Sequence, residues 1–203
     1  FAAINAIKGA ASNRDRSSVA MPAAADPELY ELDPSHSQVM FSYNHLGLST
    51  TFGMFSGFEG GIMFDVDAPE NSSVSVSIPT QAMFTGWEAR DVHLQSGDFL
   101  NTMDDSIVTF ESTGIEITGE ETALITGDLT VNGATAEVVL DTTLNMNGPH
   151  PAPQMNGALT AGFTATATIL RSDFGAGAFA PFVSDELDLT ISIEAIRADD
   201  MPG

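Results

Sequence analysis

The stretch "FGMFSGFEGGIMFDVD", residues 52–67, alternates with a period of two. Phe52, Met54, Phe58, Ile62, Phe64 and Val66 all fall on its even positions. Such alternation is the mark of a strand that buries one face, because successive side chains point to opposite sides of a sheet. It predicts one long strand with an apolar even face. Gly53, Gly57, Gly60 and Gly61 interrupt the stretch, and glycine weakens a straight strand. Their presence predicts a strand that bends, as one turning a barrel corner must. The alternative is a pair of strands broken at Gly60-Gly61.

The same period recurs along the chain. Val39, Phe41 and Tyr43 oppose Met40, Ser42 and Asn44, and Val74, Val76 and Ile78 oppose serines. A strand is expected over 107–117. Ala123, Ile125, Gly127, Leu129 and Val131 then lead into Asn132-Gly133, a tight-hairpin signal. Three further runs follow, carrying Ala136 to Leu144, Leu159 to Ile169 and Leu187 to Ala195 on one face each. About eight strands, each with one apolar face, predict an all-β, antiparallel sheet wrapped round an interior. Only "TGWEARDVHLQSGDFLNTMDD" is strand-poor, and it predicts a short helical insert at about 86–103. "NGPHPAPQMNG", 147–157, reads as a loop.

Inward alanines at 161, 165 and 167, with Ala123 and Gly127, leave room inside. An eight-stranded barrel is just wide enough to be filled by side chains or to hold one small ligand. An apolar lumen implies an apolar guest, with Phe41, Phe52, Met54, Phe58, Ile62, Phe163 and Ile169 as candidate lining.

At 203 residues the chain suits one large domain, and no apolar run is long enough for a membrane-spanning helix. Charge is the outlier: 28 Asp+Glu against six Lys+Arg, a net −22, excludes nucleic acid as a partner. Acidity of this kind also suits a salty medium, where it stays screened. Lys8, Arg14 and Arg16 sit together in an Ala/Ser/Pro-rich lead, residues 1–28, with Asp15 their sole opponent before residue 17. A basic arm on an acidic body is a candidate tether to a membrane assembly or a protein partner. The first residue is Phe, which raises either a removed upstream export segment or a fragment boundary. Cysteine is absent, so disulfide and thiolate chemistry are excluded.

Catalytic and metal motifs do not emerge. His36, His45, His93 and His150 lack metal-ligand spacing, so no metal is expected. Asp33, Ser35 and His36 crowd "DPSHS", which reads as a turn entering a strand and not as a triad. "GAGAF" opens no helix and is no dinucleotide loop. Arg90 and Arg171 stand out because cations are so rare. Each is expected either to pair structurally with a carboxylate or to hydrogen-bond a ligand's polar head, the structural role being favoured.

Five pieces in register resemble the YceI-like family, lipocalin-like bacterial proteins that bind polyisoprenoids. They are "YELDPSHSQVMFSYNHLGLSTTFGMFSGFEGGIMFD" (30–65), "ARDVHLQSGDFLNTMDDSIVTFEST" (89–113), "ITGDLTVNGATAEVVLD" (125–141), "ILRSDFG" (169–175) and "DELDLTISIEA" (185–195). The resemblance implies an eight-stranded antiparallel lipocalin-like barrel over residues 29–197, with 1–28 as an arm outside it and 198–203 as a tail. It also implies an exported, periplasmic location, a long isoprenoid lipid or isoprenoid quinone as guest, no required cofactor and no catalytic machinery. The chain departs from the family pattern at Asn44, Met54 and Ala136, where basic residues are common. Two functions follow as expectations: a non-catalytic carrier of an isoprenoid lipid or quinone, or an accessory subunit of a membrane-associated assembly docked through 1–28.

Overall fold

The computed structural model describes residues 26–104 and 106–201, so the arm's helical face and its charges lie outside the described residues. In chain order the strands are β1 (Glu28–Leu32), β2 (Gln38–His45), β3 (Ser49–Phe55), β4 (Glu59–Phe64), β5 (Ser73–Pro79) and β6 (Met83–Phe84). After helix α1 (Glu88–Leu94) come β7 (Ile107–Ile117), β8 (Thr122–Val131), β9 (Ala134–Pro149), β10 (Leu159–Leu170) and β11 (Glu186–Arg197). Neighbours pair antiparallel in the order β1-β4-β5-β7-β8-β9-β10-β11, and β11 pairs back onto β1 to close the ring. The result is the expected closed, eight-stranded antiparallel barrel with one short helix.

Three staves are broken. β1 and β2 run end to end along β11, opposite residues 197–195 and then 192–188. Where "DPSHS" intervenes, residues 33–37 of the stave face only 193 and 194 of β11. Asp33 N–H and Ser37 Oγ both donate to the Glu194 carbonyl, at 2.8 and 3.3 Å, and seal the bulge.

The second break lies in the stretch first singled out. β3 ends at Phe55 and β4 begins at Glu59, so the chain breaks at 56–58 and not at Gly60-Gly61. Gly57 takes φ +74° there, a left-handed value that favours glycine. The odd number of steps across the break inverts the phase. Before it, Thr51 and Phe55 face inward while Phe52 and Met54 are 55% and 38% exposed; after it, Phe58, Ile62 and Phe64 are buried. The expectation that Phe52 and Met54 point into the lumen is therefore corrected. They lie outside, Met54 in a cross-strand row with Met40 and Phe84 and Phe52 opposite Ser42.

Gly53 answers a packing need. A Cβ there would fall inside the ring of Phe41, which lies across it from β2. Gly60 adopts φ +117° with its would-be Cβ against the Ser75 carbonyl of β5. The glycines thus serve a break, a ring and a close strand approach.

The best-packed core fills one flank near the N-terminal end of β1. Tyr30 meets the Phe64 ring edge-on at 5.6 Å, and Phe64 meets Phe163 likewise at 5.8 Å. Ala161 and Ala195 are fully buried beside them and let β10 and β11 approach this cluster.

Candidate ligand-binding cavity

The inward faces of the staves enclose a cavity of about 1040 Å³, at the upper end of the roughly 300–1,000 Å³ typical of small-molecule sites. Its lining extends from His45, Trp87 and Phe182 at one end of the barrel to Pro69, Gly119 and Glu120 at the other. β10 alone is 12 residues long, which at about 3.3 Å per residue and a tilt of about 40° gives roughly 30 Å of height. The wall between the ends is almost wholly aliphatic and aromatic, because period-two alternation delivers one apolar row per stave.

Of the seven candidate lining residues, Phe41, Phe58, Ile62, Phe163 and Ile169 border this cavity. Phe52 and Met54 do not. Of the small inward residues, Ala123 and Ala165 border it, whereas the space over Gly127 is taken by the ring of Phe110.

Polar groups gather at the ends. Tyr43 and His45 end β2, Thr51 faces in from β3, and Arg90 and His93 project from α1, all at what we call the mouth. The Arg90 Nε donates to Thr85 Oγ1 at 2.9 Å, and its guanidinium lies 5.7 Å from the Trp87 ring centroid. Asp91 accepts from the Thr85 N–H at 2.9 Å, which fixes the same turn. Tyr43, His45 and His93 were not assigned to the lumen from sequence. Tyr43 shares the phase of Phe41, and that was the available signal.

Arg171 also borders the cavity but is committed elsewhere. It ends β10 and is 7% exposed. Its Nε donates to the Ser184 carbonyl at 2.9 Å, Nη1 to the Ala176 and Ala178 carbonyls at 2.6 and 3.3 Å, and Nη2 to the Val183 carbonyl at 3.0 Å. Burial pulls its pKa below the usual guanidinium value. The expected carboxylate partner is not bound: Asp185 accepts instead from the Ser172 N–H and hydroxyl, at 2.8 and 2.5 Å. Arg171 therefore pins residues 176–184 over the barrel end, with Phe99 of the insert 5.8 Å from its guanidinium carbon.

Outside the barrel, Asp33, His36 and Glu194 bring ligand-type atoms within 4.8 Å of one another. Spacing along the chain could not show this, because Glu194 arrives from the last strand. The groups satisfy each other: His36 Nδ1 lies 2.7 Å from Asp33 and 3.9 Å from Glu194.

A family model described as "YceI-like domain" matches residues 30–195. A UPF0312 protein of Ectopseudomonas mendocina is 41% identical over 162 residues, 80% of this chain and 83% of that protein. A UPF0312 protein of Pseudomonas aeruginosa is 38% identical over 170 residues, 83% of this chain and 86% of that one. Among solved structures, Burkholderia cenocepacia BcnA superposes with a TM-score of 0.72 at 23% identity, covering 81% of this chain and 99% of its own. A Campylobacter jejuni YCEI protein gives 0.66 at 28%, covering 76% and 89%. A polyisoprenoid binding domain from Saccharophagus degradans gives 0.61 at 14%, covering 83% and 98%. The chain belongs to the YceI-like family.

Proposed function

We propose that this chain is a non-catalytic carrier that holds one long isoprenoid lipid or isoprenoid quinone in the barrel lumen. One observation carries the reading: an apolar cavity of about 1040 Å³ whose lining reaches both ends of the barrel. A long, flexible hydrocarbon is the guest such a shape accepts. The Saccharophagus degradans neighbour, described as a polyisoprenoid binding domain, supports the same class. An exported, periplasmic setting goes with this reading.

Energetics limit what the lumen can do alone. Burying a methylene from water gains about 0.8 kcal/mol, but a lipid leaving a bilayer has already gained it. Transfer into the barrel is then near neutral, and preference must come from the polar end of the guest. Tyr43, His45 and Arg90 at the mouth offer donors for a quinone carbonyl, a hydroxyl or a phosphate.

Gentle-ionisation mass spectrometry of the protein from its native host, followed by solvent extraction, tests the reading. One isoprenoid or quinone per barrel supports it and identifies the guest. A reproducibly empty barrel that also takes up no added isoprenoid overturns it.

A further inference from the structure

A group of large apolar side chains is exposed at the mouth. Leu46 and Leu48 at the β2–β3 hairpin are 50% and 81% exposed, Trp87 at the start of α1 63%, and Phe179 and Phe182 55% and 71%. The hairpin and the 176–185 segment are clipped together, since Leu46 N–H donates to the Phe182 carbonyl at 2.8 Å and His45 bridges to Val183. Leu46 and Phe179 take φ +59° and +64°, conformations uncommon for bulky residues. Strained residues of this kind persist only where the surrounding structure holds them. Here two half-exposed apolar side chains are held at the rim of the mouth.

Leu46, Trp87, Phe179 and Phe182 also border the cavity, so the apolar surface runs without a break from the lumen to the outside. Charge is absent from the hairpin side of this surface. Although the chain has 28 acids, no Asp, Glu, Lys or Arg occurs between Asp33 and Glu59, or between Glu70 and Glu88. These two spans supply β2, β3, β5 and β6, the strands on the hairpin side of the mouth.

We propose that the mouth is a docking surface for the interface of a net-neutral, zwitterionic lipid bilayer. Trp, Phe and Leu at loop tips are the side chains that settle at a headgroup boundary. The charge-free hairpin and the strands beside these loop tips complement an interface with no net charge, while the −22 chain is repelled from anionic lipid and from a second copy of itself. The inference builds on the lumen's being a lipid site. A guest with negligible solubility in water can then pass between bilayer and lumen along one apolar surface.

Co-flotation of the full-length protein with phosphatidylcholine vesicles tests this. Wild type should float with them, and Leu48→Glu should reduce the bound fraction about tenfold without moving the melting temperature. Adding phosphatidylglycerol should weaken binding at about 10 mM salt and less so at about 150 mM, where the Debye length is near 8 Å. Failure to bind, or equal binding by Leu48→Glu and Phe182→Ser, overturns the proposal. Binding that grows with anionic lipid overturns it in favour of the basic arm. A wild-type dimer that Leu48→Glu dissociates overturns it in favour of self-association. Guest content is read separately by extraction: an empty barrel that still docks removes the carrier reading alone, and a filled barrel that does not dock removes this one alone.

Discussion

At the end of the barrel away from the mouth, Arg197 lies between Asp200 and Glu28 at 3.0 and 3.4 Å, and His36 lies between Asp33 and Glu194. At the mouth the buried cation Arg171 is given to backbone carbonyls, and the exposed loop tips carry Leu, Trp and Phe. One end settles its charges among themselves at the surface, where each exposed pair is worth little. The other removes a cation from solvent so that irregular backbone can be held over an apolar opening. Ion pairs at the far end are therefore replaceable, and the hydrogen bonds at the mouth are not.

The sharpest way to break that contrast is Arg171→Met, which keeps side-chain bulk but leaves four carbonyls without their donor. Hydrogen bonds to a charged group contribute about 1.5–3 kcal/mol each, and partial access to water at the mouth offsets some of the loss, so about 4 kcal/mol of destabilisation is expected. Urea unfolding measures it. Amide exchange should rise across 176–185 and stay unchanged where β1 meets β11, and uniform loosening of both ends would contradict the division. Arg171→Lys should recover part of the stability, since an ammonium keeps the charge but not the fork.

Next in size is Gly60→Ala, on the β4 side of the broken stave. It places a side chain at φ +117° and against the Ser75 carbonyl. A cost of about 2–3 kcal/mol is expected from strain and forced strand separation. The loss should appear in global unfolding while vesicle binding by the mouth is retained. Between the ends, Ala165→Phe should fill space where the small side chain now borders the lumen. The expected stability change is within about 1 kcal/mol because the new ring enters a cavity, whereas extracted guest should fall about tenfold. A full complement of guest in that variant would place the binding site elsewhere.

The strand pattern was legible because a barrel asks every stave for the same alternation. Val138 and Leu140, Leu189 and Ile191 face inward in the phase their sequence suggests. What alternation could not show was where it resets. Phe52 and Met54 share parity with Phe58 and Ile62, and only the break at Gly57 puts them on opposite sides of the wall. Nor could chain spacing reveal that Arg171 would meet carbonyls 5 to 13 residues further on, because a compact loop of Gly, Ala and Pro has no periodicity to read. Apolar residues beyond the inward rows, at Leu48 and Phe182, were equally silent: an exposed leucine has no local signature until its neighbours are known.

The smallest expected effect belongs to the far end and is a matter of pH. The hydrogen bond and charge of Asp33, with Glu194 nearby, raise the pKa of His36 above 6.5. Burial pushes the Asp33 carboxyl up, but the hydrogen bonds from His36 and Ser35 together bring it below 3.8. A raised histidine pKa contributes stability that is fully present below the unfolded value and is lost as pH rises through the folded one. A depressed aspartate pKa contributes above its unfolded value and is lost as pH falls through its folded one. The pair therefore contributes in full between 3.8 and 6.5. Melting temperatures of wild type and His36→Gln should differ most in that window and converge above it, and salt should shrink the difference because the groups are exposed. The same alkaline loss should persist in Arg171→Lys, which alters only the mouth. A wild-type-minus-variant difference that is flat from pH 4 to pH 9 would show that His36 acts through the shape of the bulge and not through its charge.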